Sequence, residues 1–127
     1  MKKIVKTPNA PAPIGPYNQA VWANDTLYIS GQIGLDPQTM KLQDQSIIEE
    51  TTQVMNNLKA ILAEAGLDFS HIIKTTIFLS DMELFAEVNR IYGQFFDPST
   101  APARETVAVK SLPKYVNVEI SAVAVRL

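Results

Sequence analysis

An arginine and a glutamate toward the C-terminal end of the chain offer the most chemistry. Arg104 follows Pro102-Ala103, and Glu119 stands inside the largely apolar run Val116-Asn117-Val118-Glu119-Ile120-Ser121-Ala122-Val123. A carboxylate in such a run is costly to desolvate unless it is paired or used. A hairpin turning about Leu112-Pro113 sets Glu119 opposite Thr106, with Arg104 diagonally beside it on the same sheet face. Two accounts fit. In one, Glu119 faces an edge or makes a structural ion pair with Arg104. In the other, Arg104 grips a substrate carboxylate in two-pronged geometry and Glu119 positions water. Pattern alone leaves both open, and it also leaves open whether desolvation, which raises the glutamate pKa, prevails over Arg104, which lowers it.

The rest of the composition narrows the chemistry. There is no cysteine, which excludes disulfides, thiolate nucleophiles, cysteine-ligated zinc and iron–sulfur clusters. His71 is the only histidine, so multi-histidine metal sites are excluded, and its place in Gly66-Leu67-Asp68-Phe69-Ser70-His71 reads as a connection after a helix. No metal and no cofactor is expected. A formal charge of −2 gives no clustered positive footprint for a polyanion, so nucleic acid is not an expected partner. With 127 residues, 46% hydrophobic and 19% charged, the chain is expected to form a single domain over residues 1–127. No apolar run approaches the length needed to cross about 30 Å of hydrocarbon. Met1-Lys2-Lys3 leads into Ile4-Val5-Lys6-Thr7-Pro8 instead of the apolar stretch of a secretory signal. The expectation is a cytoplasmic protein without a membrane partner.

The elements that must position the two residues can be read in order. Pro8 to Pro16 holds four prolines, which fix φ and remove backbone donors, and reads as an extended loop. Strand signals at Asn18–Ala23 and Thr26–Ile33 flank Asn24-Asp25, a pair that tolerates the positive φ of a hairpin turn. Ser46-Ile47-Ile48-Glu49 has the form of a capping box, and apolar or small residues at helical spacing run from Ile47 to Ala65 before Gly66. Ile72–Leu79 predicts a strand, Ser80 or Asp81 caps a second helix ended by Asp97-Pro98, and strands follow at Arg104–Val109 and Tyr115–Val125. The order β-β-α-β-α-β-β predicts an α+β fold with two helices on one face of a mixed sheet. The other face is left apolar and open, which predicts a homo-oligomer.

Beyond these local signals, Ala12-Pro13-Ile14-Gly15-Pro16-Tyr17-Asn18-Gln19-Ala20, Ser30-Gly31-Gln32-Ile33, Asn57-Leu58-Lys59-Ala60, Lys74-Thr75-Thr76, Val88-Asn89-Arg90-Ile91-Tyr92, Pro102-Ala103-Arg104 and Leu112-Pro113-Lys114 through Val118-Glu119-Ile120 closely resemble the reactive intermediate deaminase (Rid) family, RidA subfamily. The resemblance spans nearly the whole chain, in order and with ordinary spacing. It implies a chorismate-mutase-like fold, a homotrimer with sites between subunits, and cofactor-free hydrolysis of 2-imino acids and their enamine tautomers to 2-oxo acids and ammonia. By the matching motifs, Arg104 would hold the substrate carboxylate and Glu119 would orient or activate water. Tyr17, Ser30 and Asn89 would line the pocket, and backbone groups of Gly31 and Thr106 would complete it.

Some positions depart from the family pattern. Glu105 adds a carboxylate beside Arg104 where relatives often have serine, although strand alternation should turn it away. Thr106 replaces a frequent cysteine, Gly34 a usual proline and Asn18 a common serine. The resemblance also leaves two other functions to weigh: a metabolite sensor binding 2-oxo acids without turnover, and a ribonuclease or translation inhibitor. The absence of a basic, aromatic surface weighs against the last.

Overall fold

The structure, a computed structural model, describes residues 2–127. Six strands form one sheet: β1 (Lys2–Val5), β2 (Ala20–Ala23), β3 (Thr26–Gln32), β4 (Ile72–Leu79), β5 (Ala103–Ala108) and β6 (Val118–Val125), with α1 (Ile47–Glu64) between β3 and β4 and α2 (Phe85–Gly93) between β4 and β5. Their spatial order is β1-β2-β3-β6-β4-β5. The sheet is mixed: β4 and β5 run parallel and every other neighbouring pair is antiparallel.

Local signals set the element ends. Asn24 takes φ 55° in the β2–β3 turn. The Ser46 side chain accepts a hydrogen bond from the Glu49 N–H at the start of α1. At its end, Gly66 at φ 77° allows Leu67 N to reach Leu62 O and Gly66 N to reach Ala63 O, the paired bonds of a Schellman stop. Asp81 accepts from Glu83 N and caps a short 3-10 turn that runs into α2. His71 closes a similar turn at Phe69–His71, its ring paired with the Asp68 backbone N–H and carboxylate.

Two expectations about the sheet need correction. Lys2–Val5, where no strand was expected, adds β1 to the predicted order; only Val5 of its four residues is buried, so it carries almost no apolar pattern. The expected hairpin of the last two strands does not form. β4 lies between them, so Glu119 faces Phe78 and Thr106 faces Ile77, with no direct pairing of β5 and β6. The reason is burial. Val118, Ile120, Ala122 and Ala124 alternate along β6 and are all buried, which requires a central strand under the helices, whereas β5 has no buried residue and takes the edge.

α1 packs Val54, Met55, Leu58, Ile61 and Leu62 onto the covered face, where Leu27, Ile77, Leu79, Val118 and Ile120 meet them, all fully buried or within 1% of it. On the other face Val21, Tyr28 and Val123 lie abreast across β2, β3 and β6, with Tyr28 52% exposed. Among the described residues no helix is long and apolar enough to cross a membrane.

Gly66 isolates one backbone effect, since an added Cβ there would meet nothing within 4 Å. Gly66→Ala should therefore destabilise the protein by about 1–2 kcal/mol through the left-handed φ alone, and Gly66→Asn by less. Urea unfolding with an unchanged slope is the measurement.

Candidate active site

The sheet builds a cleft where β3 ends and β6 begins. Pairing of β3 with β6 slips by one residue between Ile29 and Gln32, so Ser30 and Gly31 form a bulge beside Glu119. A Cβ on Gly31 would lie 2.7 Å from Glu119 Oε2 and 2.8 Å from Cδ. Only glycine lets that carboxylate rest on the β3 backbone. Ile14, Tyr17, Ser30, Gly31, Lys114 and Glu119 are among the residues lining a cleft of about 530 Å³ at this point. Lys114 and Tyr115 both adopt positive φ, near 56° and 54°, in the segment leading into β6.

The proline-containing segment forms the opposite wall, and its shape depends on residues that the sequence reading left without a role. Buried Gln19 accepts from Thr7 N at 2.7 Å and donates toward the carbonyls of Thr7, Ala10 and Pro11. Ser30 Oγ donates to Asn18 O at 2.6 Å, tying the bulge to the residue after Tyr17. Tyr17 itself is half exposed, and its hydroxyl accepts from Ile14 N at 3.4 Å. From α1, buried Asn57 donates to the carbonyls of Ile33 and Leu35, which continue the cleft wall beyond Gly31. For Asn57 the signal was present in the sequence, a polar amide on the inner stripe of a helix; Gln19 precedes β2 beside polar Asn18 and carried no such pattern.

Glu119 is half-buried, and loss of water contact raises its pKa above the ordinary 4.5. None of the ion pairs among the described residues includes it. This resolves, for one chain, the balance that sequence left open. Desolvation acts and Arg104 does not, because the two residues lie on opposite faces of the sheet. Glu119 alternates with buried Val118 and Ile120, whereas Arg104 sits level with buried Thr75 on the helix-covered side. The expectation that they share a sheet surface is overturned along with the hairpin that produced it.

Arg104 belongs to a second cluster, at the β5 edge. Its NH1 donates to Asn89 Oδ1 of α2 at 2.7 Å, and its guanidinium carbon stands 5.1 Å from the Tyr92 ring centre and 5.6 Å from that of Phe85. Tyr92 is fixed in turn by a 2.7 Å hydrogen bond with Thr75. Thr106, two residues along β5, has a buried hydroxyl with no partner among the described residues. Thus Tyr17, Ser30, Gly31 and Glu119 come together in the cleft, and Asn89, Arg104 and Thr106 gather apart from them. Glu105 points away from Arg104 to the open face, where Lys74 at 3.2 Å and then Thr76 at 3.1 Å lower its pKa. Among the described residues no group of three or more histidine, aspartate or glutamate side chains could hold a metal ion.

Residues 7–126 match the model of the family described as endoribonuclease L-PSP. Over 99% of its length the chain is 47% identical to a mouse protein named 2-iminobutanoate/2-iminopropanoate deaminase, covering 93% of that protein. The chain belongs to the Rid family. Another Rid relative, a RutC family protein of Synechocystis, is 56% identical over 97% of this chain and 95% of its own. Among solved structures, Escherichia coli TdcF with bound serine superposes with a TM-score of 0.92 at 42% identity, covering 98% of this chain and 99% of that one.

A raised carboxylate pKa is also a statement about stability. The protonated form is favoured in the folded state, so this contribution is full below the ordinary value of 4.5 and is lost as pH rises through the raised folded value. Glu119→Gln should therefore melt at a higher temperature than the parent at about pH 7, and the difference should close at about pH 4. Paired thermal melts at the two pH values check it.

Proposed function

We propose that the protein is a cofactor-independent 2-iminobutanoate/2-iminopropanoate deaminase, hydrolysing 2-imino acids released by pyridoxal-phosphate enzymes, and that its sites form between copies in a homotrimer. The observation that carries this reading is the complementarity of the two clusters. One presents a desolvated carboxylate on a bare glycine backbone and the other an immobilised guanidinium, and neither suffices alone. A second copy that sets its β5–α2 edge against the cleft would supply Arg104, Asn89 and Thr106 to Glu119, Tyr17, Ser30 and Gly31. The exposed apolar stripe around Tyr28 gives such a copy a surface to cover. The name of the mouse relative and the serine in TdcF, an amino acid with the same carboxylate head, support a small 2-substituted carboxylate as ligand.

The chemistry needs little from the protein. A protonated imine carbon is already electrophilic. Arg104 gives one N–H to Asn89 and keeps further donors for the substrate carboxylate in fork geometry. Water adds to C2 as Glu119 accepts one of its protons; the C–O bond forms and the C=N π pair moves onto nitrogen, giving a carbinolamine. Glu119 returns that proton to the amino nitrogen, the C–N bond breaks with its electron pair leaving on ammonia, and Glu119 takes the hydroxyl proton as the carbonyl of the 2-oxo acid forms. Desolvation brings the pKa of Glu119 closer to working pH, which favours a group that must both take and give a proton.

The protein added to a threonine dehydratase reaction, with semicarbazide trapping the imine, should speed 2-oxobutanoate appearance and reduce trapping. No acceleration would sink the enzyme reading, and tight 2-oxobutanoate binding without acceleration would mark a metabolite sensor instead. Arg104→Ala should abolish the effect through lost anchoring, at about 1.5–3 kcal/mol for each charged hydrogen bond removed. Glu119→Gln should still bind the carboxylate but lose about a hundred- to ten-thousand-fold in kcat.

The shared site has its own test. Equal amounts of the two variants, unfolded and refolded together, should recover about a quarter of the sites, those pairing an intact Glu119 with an intact Arg104 from the other chain. A mixture no more active than its parts would refute the arrangement between copies.

A further inference from the structure

The mechanism leaves one buried charge without a role. Glu50, in the first turns of α1, is completely buried. None of the ion pairs among the described residues involves it. All of its side-chain hydrogen bonds go to the residues immediately before Glu119: Oε2 accepts from Asn117 N at 2.8 Å and from Val118 N at 3.2 Å, and Oε1 accepts from Asn117 Nδ2 at 2.9 Å. Asn117 is held from its other side by Ser80, whose N–H donates to Asn117 O and whose hydroxyl donates to Asn117 Oδ1. Gly34 admits Glu50 to this place, since a Cβ there would lie 2.9 Å from Glu50 Cγ and 3.1 Å from its carbonyl oxygen.

An unpaired buried carboxylate is an expensive way to tie a helix to a strand, because apolar packing would do so without desolvating a charge. What the carboxylate does offer is acceptance of several N–H groups at once from the stretch where β6 begins, which pairs with β4 through Val118 and Leu79 but has no strand pairing on its β3 side before Ile120. That stretch is entered through Lys114 and Tyr115 in left-handed conformation, so its approach to β6 is not fixed by regular backbone geometry. We propose that Glu50 is a positioning residue for Glu119, clamping Asn117 and Val118 so that the next side chain is set down on Gly31. Asn57, two turns along the same face of α1, holds the carbonyls of Ile33 and Leu35 on the β3 side. One rigid helix thereby references both strands that meet at the carboxylate. The inference rests on Glu119 being the group that handles water.

The test compares kcat and KM in the imine-hydrolysis assay well below each variant's melting temperature. Glu50→Leu fills the space but accepts nothing, and should lower kcat by about ten- to a hundredfold with KM changed by less than about twofold, since Arg104 anchors the substrate independently. Glu50→Gln, whose amide oxygen can still accept both backbone N–H groups, should restore most of the loss. Ile72→Val, a mild core change at the far end of β4, should lower the melting temperature without moving kcat. Glu50→Leu with parental kcat, or Glu50→Gln as impaired as Glu50→Leu, would overturn the proposal. If Glu50→Leu does not fold, Asn117→Ala removes one donor to the same carboxylate; a severalfold drop in kcat at constant KM supports the clamp and an unchanged kcat refutes it. An inactive parent protein would instead count against the hydrolase reading itself.

Discussion

The arrangement of the molecule follows from the alternation along β6. Val118, Ile120, Ala122 and Ala124 must be buried, and each large apolar side chain so placed contributes about 1.5–3 kcal/mol. That requirement draws β6 into the middle of the sheet, between β3 and β4, beneath α1. Because side chains on a strand alternate, the same requirement turns Glu119 to the opposite side, beside the Ser30–Gly31 bulge. The carboxylate is therefore held where it is by its apolar neighbours, and its partial desolvation is a by-product of the burial that stabilises the sheet. A residue on a flexible loop could not be kept in so unfavourable a setting.

The guanidinium cluster is organised on a different principle. Arg104 belongs to a strand with no buried residue and takes its order from α2, through Asn89 and the rings of Tyr92 and Phe85. The two ring faces and Asn89 hold the guanidinium while leaving further N–H donors for hydrogen bonding, as arginine recognition of a carboxylate requires. One charged group is thus fixed by strand pairing and the other by a helix. The second copy invoked above would have to bring two rigid bodies together without ordering either.

How much of this the sequence showed depended on how local the cause was. Asn24, Ser46 and Gly66 act within a few residues of themselves, and their turn, cap and stop lie where the sequence placed them, whereas Asp81 caps the 3-10 turn before α2 and α2 itself runs only from Phe85 to Gly93. The partner of β6 was a different matter. A short connection at Leu112-Pro113 suggested a hairpin, but the partner was decided by the total burial of its alternate residues against elements far away in the chain. β1 went unread because three of its four residues face solvent. Of the residues expected in the site, the cleft group was placed by motif resemblance and not by any pairing rule, and the opposed orientation of Arg104 depended on knowing that β4 intervenes. Glu50 did leave a trace, since its spacing from Ile47 and Val54 puts a carboxylate on the inner stripe of α1. A charge on that stripe marks a buried interaction without naming its partner.

The contact between Gly31 and Glu119 also bears on how this protein can vary over evolutionary time. Any side chain at position 31 would occupy the volume that the carboxylate now fills, so a substitution there would displace the end of the Glu119 side chain from its seat while leaving the backbone undisturbed. Shortening the residue at 119 would remove that conflict. Two sites far apart in the gene are therefore coupled: a change at the glycine moves the acid, and its cost falls on the chemistry at 119 and not on the fold.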